Sequence, residues 1–299
     1  MVVSAPILFS FQSQRRFGKA FRDRPDITFG AFSIERFPNG ERHVRLGASV
    51  AGKRCIVLGT VAPPAENLAS YLLLCHTLRS QGARKVVALL PYLAYSRHDR
   101  REPLESHGAA WMGALLGASG VTSVVTVDVH SPRLKRLFPI PLSSLSPAAI
   151  FAEEIRRRSL QDATMVAPDE GAIARCRDVA RESGMKRPMA TMTKQRTRRG
   201  VVHGRLQGRV GQRVVVVDDM LDTAGTLISC CEELRRSGAR ALYVFVTHGL
   251  FTGDAWRRLR GLGVRLLACT DTVPVRPAVA KSVAICSAST LVVGGALES

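Results

Sequence analysis

Residues 54–58 read RCIVL; after a loop and an apolar-periodic stretch come LRSQGAR at 78–84 and VVALL at 86–90. Residues 213–217 read RVVVV, followed in the same order by LRRSGAR at 234–240 and LYVFV at 242–246. The offset is 159 at the first run and 156 at the L-R-x-x-G-A-R segment, so the first copy carries a longer loop. GVTSVVTVD at 120–128 and GVRLLACTD at 263–271 repeat at offset 143. Two such matches in order point to a tandem duplication.

Each copy reads strand, loop, helix, strand. RCIVL and RVVVV are apolar without alternation, as in strands covered on both faces. Leu68, Leu72, Cys75 and Leu78, and again Leu227, Cys231 and Leu234, recur at helical spacing. Gly82 and Gly238 stand where a helix C-terminal glycine belongs. The expected fold class is therefore α/β, two tandem domains, each a mainly parallel sheet flanked by helices. Pro139, Pro141 and Pro147, with Ser143, Ser144 and Ser146 among them, mark the boundary. It divides the chain into 1–143 and 144–299.

A length of 299 residues suits two domains. Hydrophobic residues at 46% and charged residues at 22% are the balance of a soluble globular chain, not a disordered one. No apolar run is long enough to span a membrane. Val2 to Phe11 lacks a preceding cationic segment and reads as a first strand, not a secretion signal, so cytoplasmic residence is expected. Lys and Arg number 43 against 24 Asp and Glu, a net charge of +19 that attracts anions. Aromatic content of 6% is thin for a base-stacking surface, which argues against nucleic acid and for small phosphorylated ligands. The seven cysteines form no C-x-x-C pair, so buried reduced thiols are expected.

The copies differ where a doubly wound sheet binds ligands, at the carboxyl ends of its strands. The first has GTVAPPAEN at 59–67. The second has VVVVDDMLDTAGTL at 214–227, in which Asp218 and Asp219 are expected to end the strand. Asp222, Thr223, Ala224, Gly225 and Thr226 then make a small-residue loop opening a helix. Such a loop aims backbone N–H groups and the helix dipole at an anion, typically a phosphate. Ionised aspartates only accept hydrogen bonds, so Asp218 and Asp219 suit sugar hydroxyls, directly or through a metal. An ordinary N-cap is the bland alternative for D-T-x-G-T alone; the two preceding acids favour a phosphosugar.

This stretch resembles the phosphoribosyl diphosphate (PRPP) motif of type I phosphoribosyltransferases. The order RFPNGE at 36–41, PYLAYSRHDR at 91–100, TVDVH at 126–130, APDEGA at 167–172 and K-Q-R at 194–196 is similar to that of the ribose-phosphate diphosphokinase family. The resemblance implies two phosphoribosyltransferase-like domains and transfer of a diphosphoryl group from MgATP to ribose 5-phosphate, giving PRPP and AMP. It implies catalytic roles for Lys194 and Arg196, in a segment, 186–205, with eight Lys, Arg or His. It implies ATP contacts at Arg97, His98 and Asp99, and at Phe37, Asn39, Gly40 and Glu41 of a neighbouring subunit, hence a homo-oligomer, dimer or hexamer. His98 replaces a glutamine and Asn39 an aspartate of the common pattern. His130 would hold the Mg²⁺ carried by ATP and Asp169 a second Mg²⁺ near the ribose phosphate, with Glu170 the weaker candidate. The motif residues 218–226 would hold ribose 5-phosphate, with Ala224 standing where glycine is common. A PRPP-consuming phosphoribosyltransferase and a non-catalytic regulatory or nucleic-acid-binding relative are the alternatives.

Overall fold

The computed structural model describes residues 5–197 and 200–298, without the side chains of 194–205. The chain divides into two compact units, residues 1–145 with 289–299, and residues 146–288.

The first unit holds strands β1 (Ile7–Ser10), β2 (Thr28–Phe29), β3 (Phe32–Arg36), β4 (Arg42–Leu46), β5 (Arg54–Leu58), β6 (Lys85–Leu90), β7 (Ser123–Val127) and β8 (Leu142–Leu145). The second holds β9 (Thr164–Ala167), β10 (Ala190–Thr197), β11 (Gly200–Gln207), β12 (Arg213–Leu221), β13 (Ala241–Gly249), β14 (Val264–Thr270) and β15 (Ala284–Cys286). The helices are α1 (Arg15–Ala20), α2 (Ala65–Ser80), α3 (Gly108–Ala118), α4 (Leu134–Leu137), α5 (Ala148–Arg157), α6 (Ile173–Ser183), α7 (Gly225–Arg236), α8 (Pro277–Ala280) and α9 (Ser289–Glu298).

The two sheets repeat one strand order. The first runs β2-β1-β5-β6-β7-β8 and the second β11-β10-β9-β12-β13-β14-β15. Every pairing in these two sheets is parallel except the β10–β11 hairpin at the edge. The duplication read from 54–90 and 213–246 thus maps onto β5-α2-β6 and β12-α7-β13. Their continuous apolar runs follow from burial on both faces: Val214 and Val216 enter one core, Val215 and Val217 the other.

The repeated L-R-x-x-G-A-R segment has a physical reason. Arg79 donates to the carbonyls of Ala83 and Arg84, and Arg235 to those of Ala239 and Arg240. Each arginine thereby ties its helix end to the entry of the next strand. Gly82 (φ +85°) and Gly238 (φ +95°) make the left-handed turn between them, a conformation that costs other residues about 1–2 kcal/mol. The stems of the same arginines pack beside Gly120 and Gly263, the paired glycines of the second internal match.

The expected boundary lay two residues before the observed one, and it left the last helix with the second domain. Instead α9 packs in the first unit, against α1, β7 and β8. Arg54, the first residue of β5, donates to the carbonyls of Ala296 (2.8 Å) and Leu297 (3.4 Å) at the end of α9. Its repeat counterpart, Arg213, donates to Ser159 O just after α5 (2.8 Å) and to Asp162. So α9 covers the first sheet as α5 covers the second. Among the described residues no helix is long and apolar enough to cross a membrane. Six of the seven cysteines are buried and Cys286 is half-buried.

Candidate active site

In the second unit the sheet order reverses direction between β9 and β12. That switch point is where open α/β sheets leave a crevice at their carboxyl edge. β9 pairs with β12 only as far as Val166 opposite Val216, whereas β12 continues along β13 to Leu221. Asp218 and Asp219 were expected to end the strand; they lie inside it, because β13 continues to pair through Met220 and Leu221. On the β9 side the pairing has already stopped, and the segment carrying Asp169 follows there.

Both acids are buried, Asp218 to 7% exposure and Asp219 to 5%. Asp218 Oδ1 accepts from the Asp219 N–H at 2.9 Å. Burial, and next the charge of Asp219, hold the Asp218 carboxyl well above the usual carboxylate range; Arg175 on α6 opposes the shift and Asp169 adds to it. Asp169 is half-buried, and its Oδ1 accepts from Ala172 N–H (3.1 Å), capping the 3-10 turn Glu170–Ala172. Glu170 is exposed. Asp218, Asp219 and the nearby Asp169 supply carboxyl oxygens, the donor type a hard divalent cation prefers. Among the described residues, however, no group of three or more His, Cys, Asp or Glu gathers around one point. A cation here would depend on ligand oxygens and water for the rest of its shell.

The small-residue loop follows directly. Asp222 and Thr226 are half-buried, Thr223 and Gly225 exposed, and a Cβ at Gly225 would point into open space. Ala224 takes φ +67°, the left-handed region that favours glycine, and α7 starts at Gly225. Replacing glycine by alanine therefore has a local cost that composition alone does not reveal. The N-cap, Ala224, makes no side-chain cap bond, which leaves the first N–H groups of α7 without that partner.

β10 pairs with β9 at Ala190–Val166 and Thr191–Ala167, so the β10–β11 hairpin grows from the strand beside the Asp169 segment. Lys194 and Arg196 sit on it, opposite His203 and Val201. They lie on a paired strand, not in an open loop. Their side chains fall outside the described residues, as do Arg198 and Arg199 altogether.

In the first unit, Phe37, Asn39, Gly40 and Glu41 form the turn between β3 and β4. Phe37 N–H donates to Glu41 O (2.8 Å), Gly40 N–H to Phe37 O (2.8 Å), and Glu41 N–H to Asn39 Oδ1 (3.1 Å). Phe37 is 45% exposed at this tip, its ring 6.1 Å from that of His43. Arg97, His98 and Asp99 follow β6; the first two are exposed and Asp99 is half-buried. His98 N–H donates to Tyr95 O, and Ala109 N–H to His98 O, fixing the segment to the start of α3. His130 lies half-buried after the neighbouring strand β7, and Val127 N–H donates to Pro91 O at 3.3 Å. The carboxyl ends of β6 and β7 thus bring the Arg97 and His130 segments to one rim.

Two contributors had no motif to announce them. Arg175, six residues after Asp169, is legible only once α6 is packed beside β12. The segment after β13 donates to the carbonyls of Leu221 and Asp222 under the small-residue loop.

Two duplicated parallel sheets, with a phosphate-type loop and paired acids at the switch point of the second, define a tandem phosphoribosyltransferase-like protein. Comparison with known proteins agrees. Residues 6–120 match the N-terminal domain of ribose phosphate pyrophosphokinase, and residues 167–293 the phosphoribosyl synthetase-associated domain. The ribose-phosphate pyrophosphokinase of Bordetella parapertussis is 32% identical over 84% of this chain and 82% of its own length. That of Bacillus caldolyticus is 30% identical over 89% and 85%. The crystal structure of phosphoribosylpyrophosphate synthetase from Mycobacterium smegmatis superposes with a TM-score of 0.86, at 25% identity, over 98% of this chain and 97% of that one. The chain belongs to the ribose-phosphate pyrophosphokinase family, and it is an enzyme.

Proposed function

We propose that the protein transfers the diphosphoryl group of ATP to the anomeric hydroxyl of ribose 5-phosphate. The hydroxyl oxygen forms a bond to the β-phosphorus, the bond from that phosphorus to the α-phosphate oxygen breaks, AMP leaves, and the hydroxyl proton is released. The observation that carries the reading is the asymmetry of the duplication: one switch point bears buried acids and a small-residue loop, the other does not.

The roles follow from chemistry. Backbone N–H groups of 223–226 and the Thr223 and Thr226 hydroxyls bind the 5-phosphate at the α7 N-terminus. Asp218 and Asp219 accept from ribose hydroxyls and fix the sugar. Arg97, with its guanidinium fork, meets the ATP phosphates; His98 and Asp99 complete that rim. The β3–β4 turn, Phe37 to Glu41, serves the adenine of a neighbouring copy in a homo-oligomer. Lys194 and Arg196 stabilise charge on the migrating group, since phosphoryl transfer needs positioning and cations more than covalent help. Mg²⁺, held through His130 at the ATP rim and through Asp169 at the ribose side, would neutralise phosphate charge when bound. Imidazole is an uncommon partner for that ion, so the oxygen-rich Asp169 region fits it better than His130. The site of action is the cytoplasm.

The test is AMP release, measured with ATP alone, ribose 5-phosphate alone, and both. AMP formed only with both substrates supports the reading. Pyrophosphate released from PRPP and a free base, without AMP formation, would replace it with a phosphoribosyltransferase.

A further inference from the structure

The segment after β13 is a strap beneath the small-residue loop. Leu250 N–H and Phe251 N–H both donate to Leu221 O, at 2.9 and 3.1 Å, and Thr252 N–H donates to Asp222 O at 3.0 Å. Leu221 and Asp222 are the residues from which the loop departs. The strap is itself held: Arg276, at the start of α8, donates from Nη2 to Phe251 O at 2.7 Å. The Phe251 ring is buried and meets Trp256 edge-on, with centroids 5.4 Å apart. A Cβ at Gly249 would run into that ring and approach Cys269 Sγ at 3.0 Å.

Backbone strain lies on both segments that these bonds join. Ala224 has φ +67° and Phe251 φ +50°, neither of them glycine. Left-handed non-glycine residues persist only where their surroundings over-determine them, and they concentrate at functional sites. Three backbone bonds, one guanidinium and one ring pair meet that requirement.

We infer that Arg276 is a positioning residue for the phosphosugar loop, acting through the carbonyl of Phe251 and the strap 249–253. This rests on the reading of 222–226 as the ribose 5-phosphate loop. Arg276 carries no role in the resemblance, and nothing in the site's own motif points to it. Its guanidinium is far along the chain from the loop yet only two hydrogen bonds away from it.

The experiment compares wild-type full-length protein with Arg276→Ala and Arg276→Lys. In Arg276→Ala the KM for ribose 5-phosphate should rise about three- to tenfold, the range of one charged hydrogen bond discounted for exposure. The KM for ATP should hold, and millimolar guanidinium ion should restore part of the loss. Amide hydrogen exchange across 222–227 in substrate-free protein should accelerate in Arg276→Ala and recover in Arg276→Lys. Unchanged exchange across 222–227, or an equal rise in both KM values with no rescue, overturns the inference. If wild type releases no AMP, the functional reading fails on its own, and the exchange measurement still decides whether Arg276 holds the loop.

Discussion

Removing one hydroxyl from the small-residue loop separates sugar binding from nucleotide binding. Thr226 lies in the first turn of α7, half-buried, beside the buried Leu227 and Ile228. Thr226→Val keeps the branched shape and exchanges a hydroxyl for a methyl of similar size at a half-buried position, so the fold should be retained. The loop's backbone N–H groups and the helix dipole also remain. What is lost is one donor to a phosphate. A hydrogen bond to a charged group contributes about 1.5–3 kcal/mol. That corresponds to a tenfold to roughly 150-fold loss in affinity for ribose 5-phosphate. Partial exposure lets water replace some of the bond, so the lower end, about tenfold, is expected. Calorimetric titration with ribose 5-phosphate, and separately with a non-hydrolysable ATP analogue, measures both affinities; a thermal melt checks the fold. ATP weakened with ribose 5-phosphate untouched would mean the two sites have been exchanged, and the reasoning fails.

Asp218→Asn should stabilise the substrate-free protein at neutral pH while abolishing ribose 5-phosphate binding. Because burial raises the folded-state value above 3.8, the folded chain keeps this proton after the unfolded chain has released it. Stability therefore falls as pH rises through that window; in chelator, melting curves at several pH values should show the variant gaining on wild type, and a constant difference would refute this. Ala224→Gly should change stability by between zero and about +1.5 kcal/mol, since relief of about 1–2 kcal/mol of left-handed strain opposes about 0.5–1 kcal/mol of glycine entropy. A measured loss of stability in denaturant unfolding would contradict the left-handed assignment. Lys194→Ala and Arg196→Ala should each lower kcat by about 10²–10³ with smaller changes in KM, while Arg199→Ala does little. Equal behaviour of all three in steady-state assays would make the hairpin a general anion attractor.

The amino-acid sequence by itself determined the duplication, the parallel sheets and the asymmetry between the copies. These are local matters: buried strands must be apolar on both faces, and left-handed helix ends need glycine. A phosphate loop likewise needs small residues at a helix start. Each leaves its mark in residues adjacent in the chain, and the duplication repeats those marks in the second half. Thus Asp218, Asp219 and Thr226 were legible as a group before any packing was known.

Tertiary structure decided what depends on residues far apart. β12 runs past its aspartates because β13 remains paired beside it, and no feature of VVVVDDML reports the length of the neighbouring strand. The strain at Ala224 is a backbone angle, which composition does not encode. Arg276 reaches the loop through Phe251, a link made by folding and not by spacing. The last helix joins the first unit, where Arg54 donates to its final carbonyls as Arg213 donates to Ser159 O just beyond α5. A helix with apolar, small residues can cover either of two similar sheets. Hydrophobic burial is non-directional, so its pattern names an apolar face but not its partner.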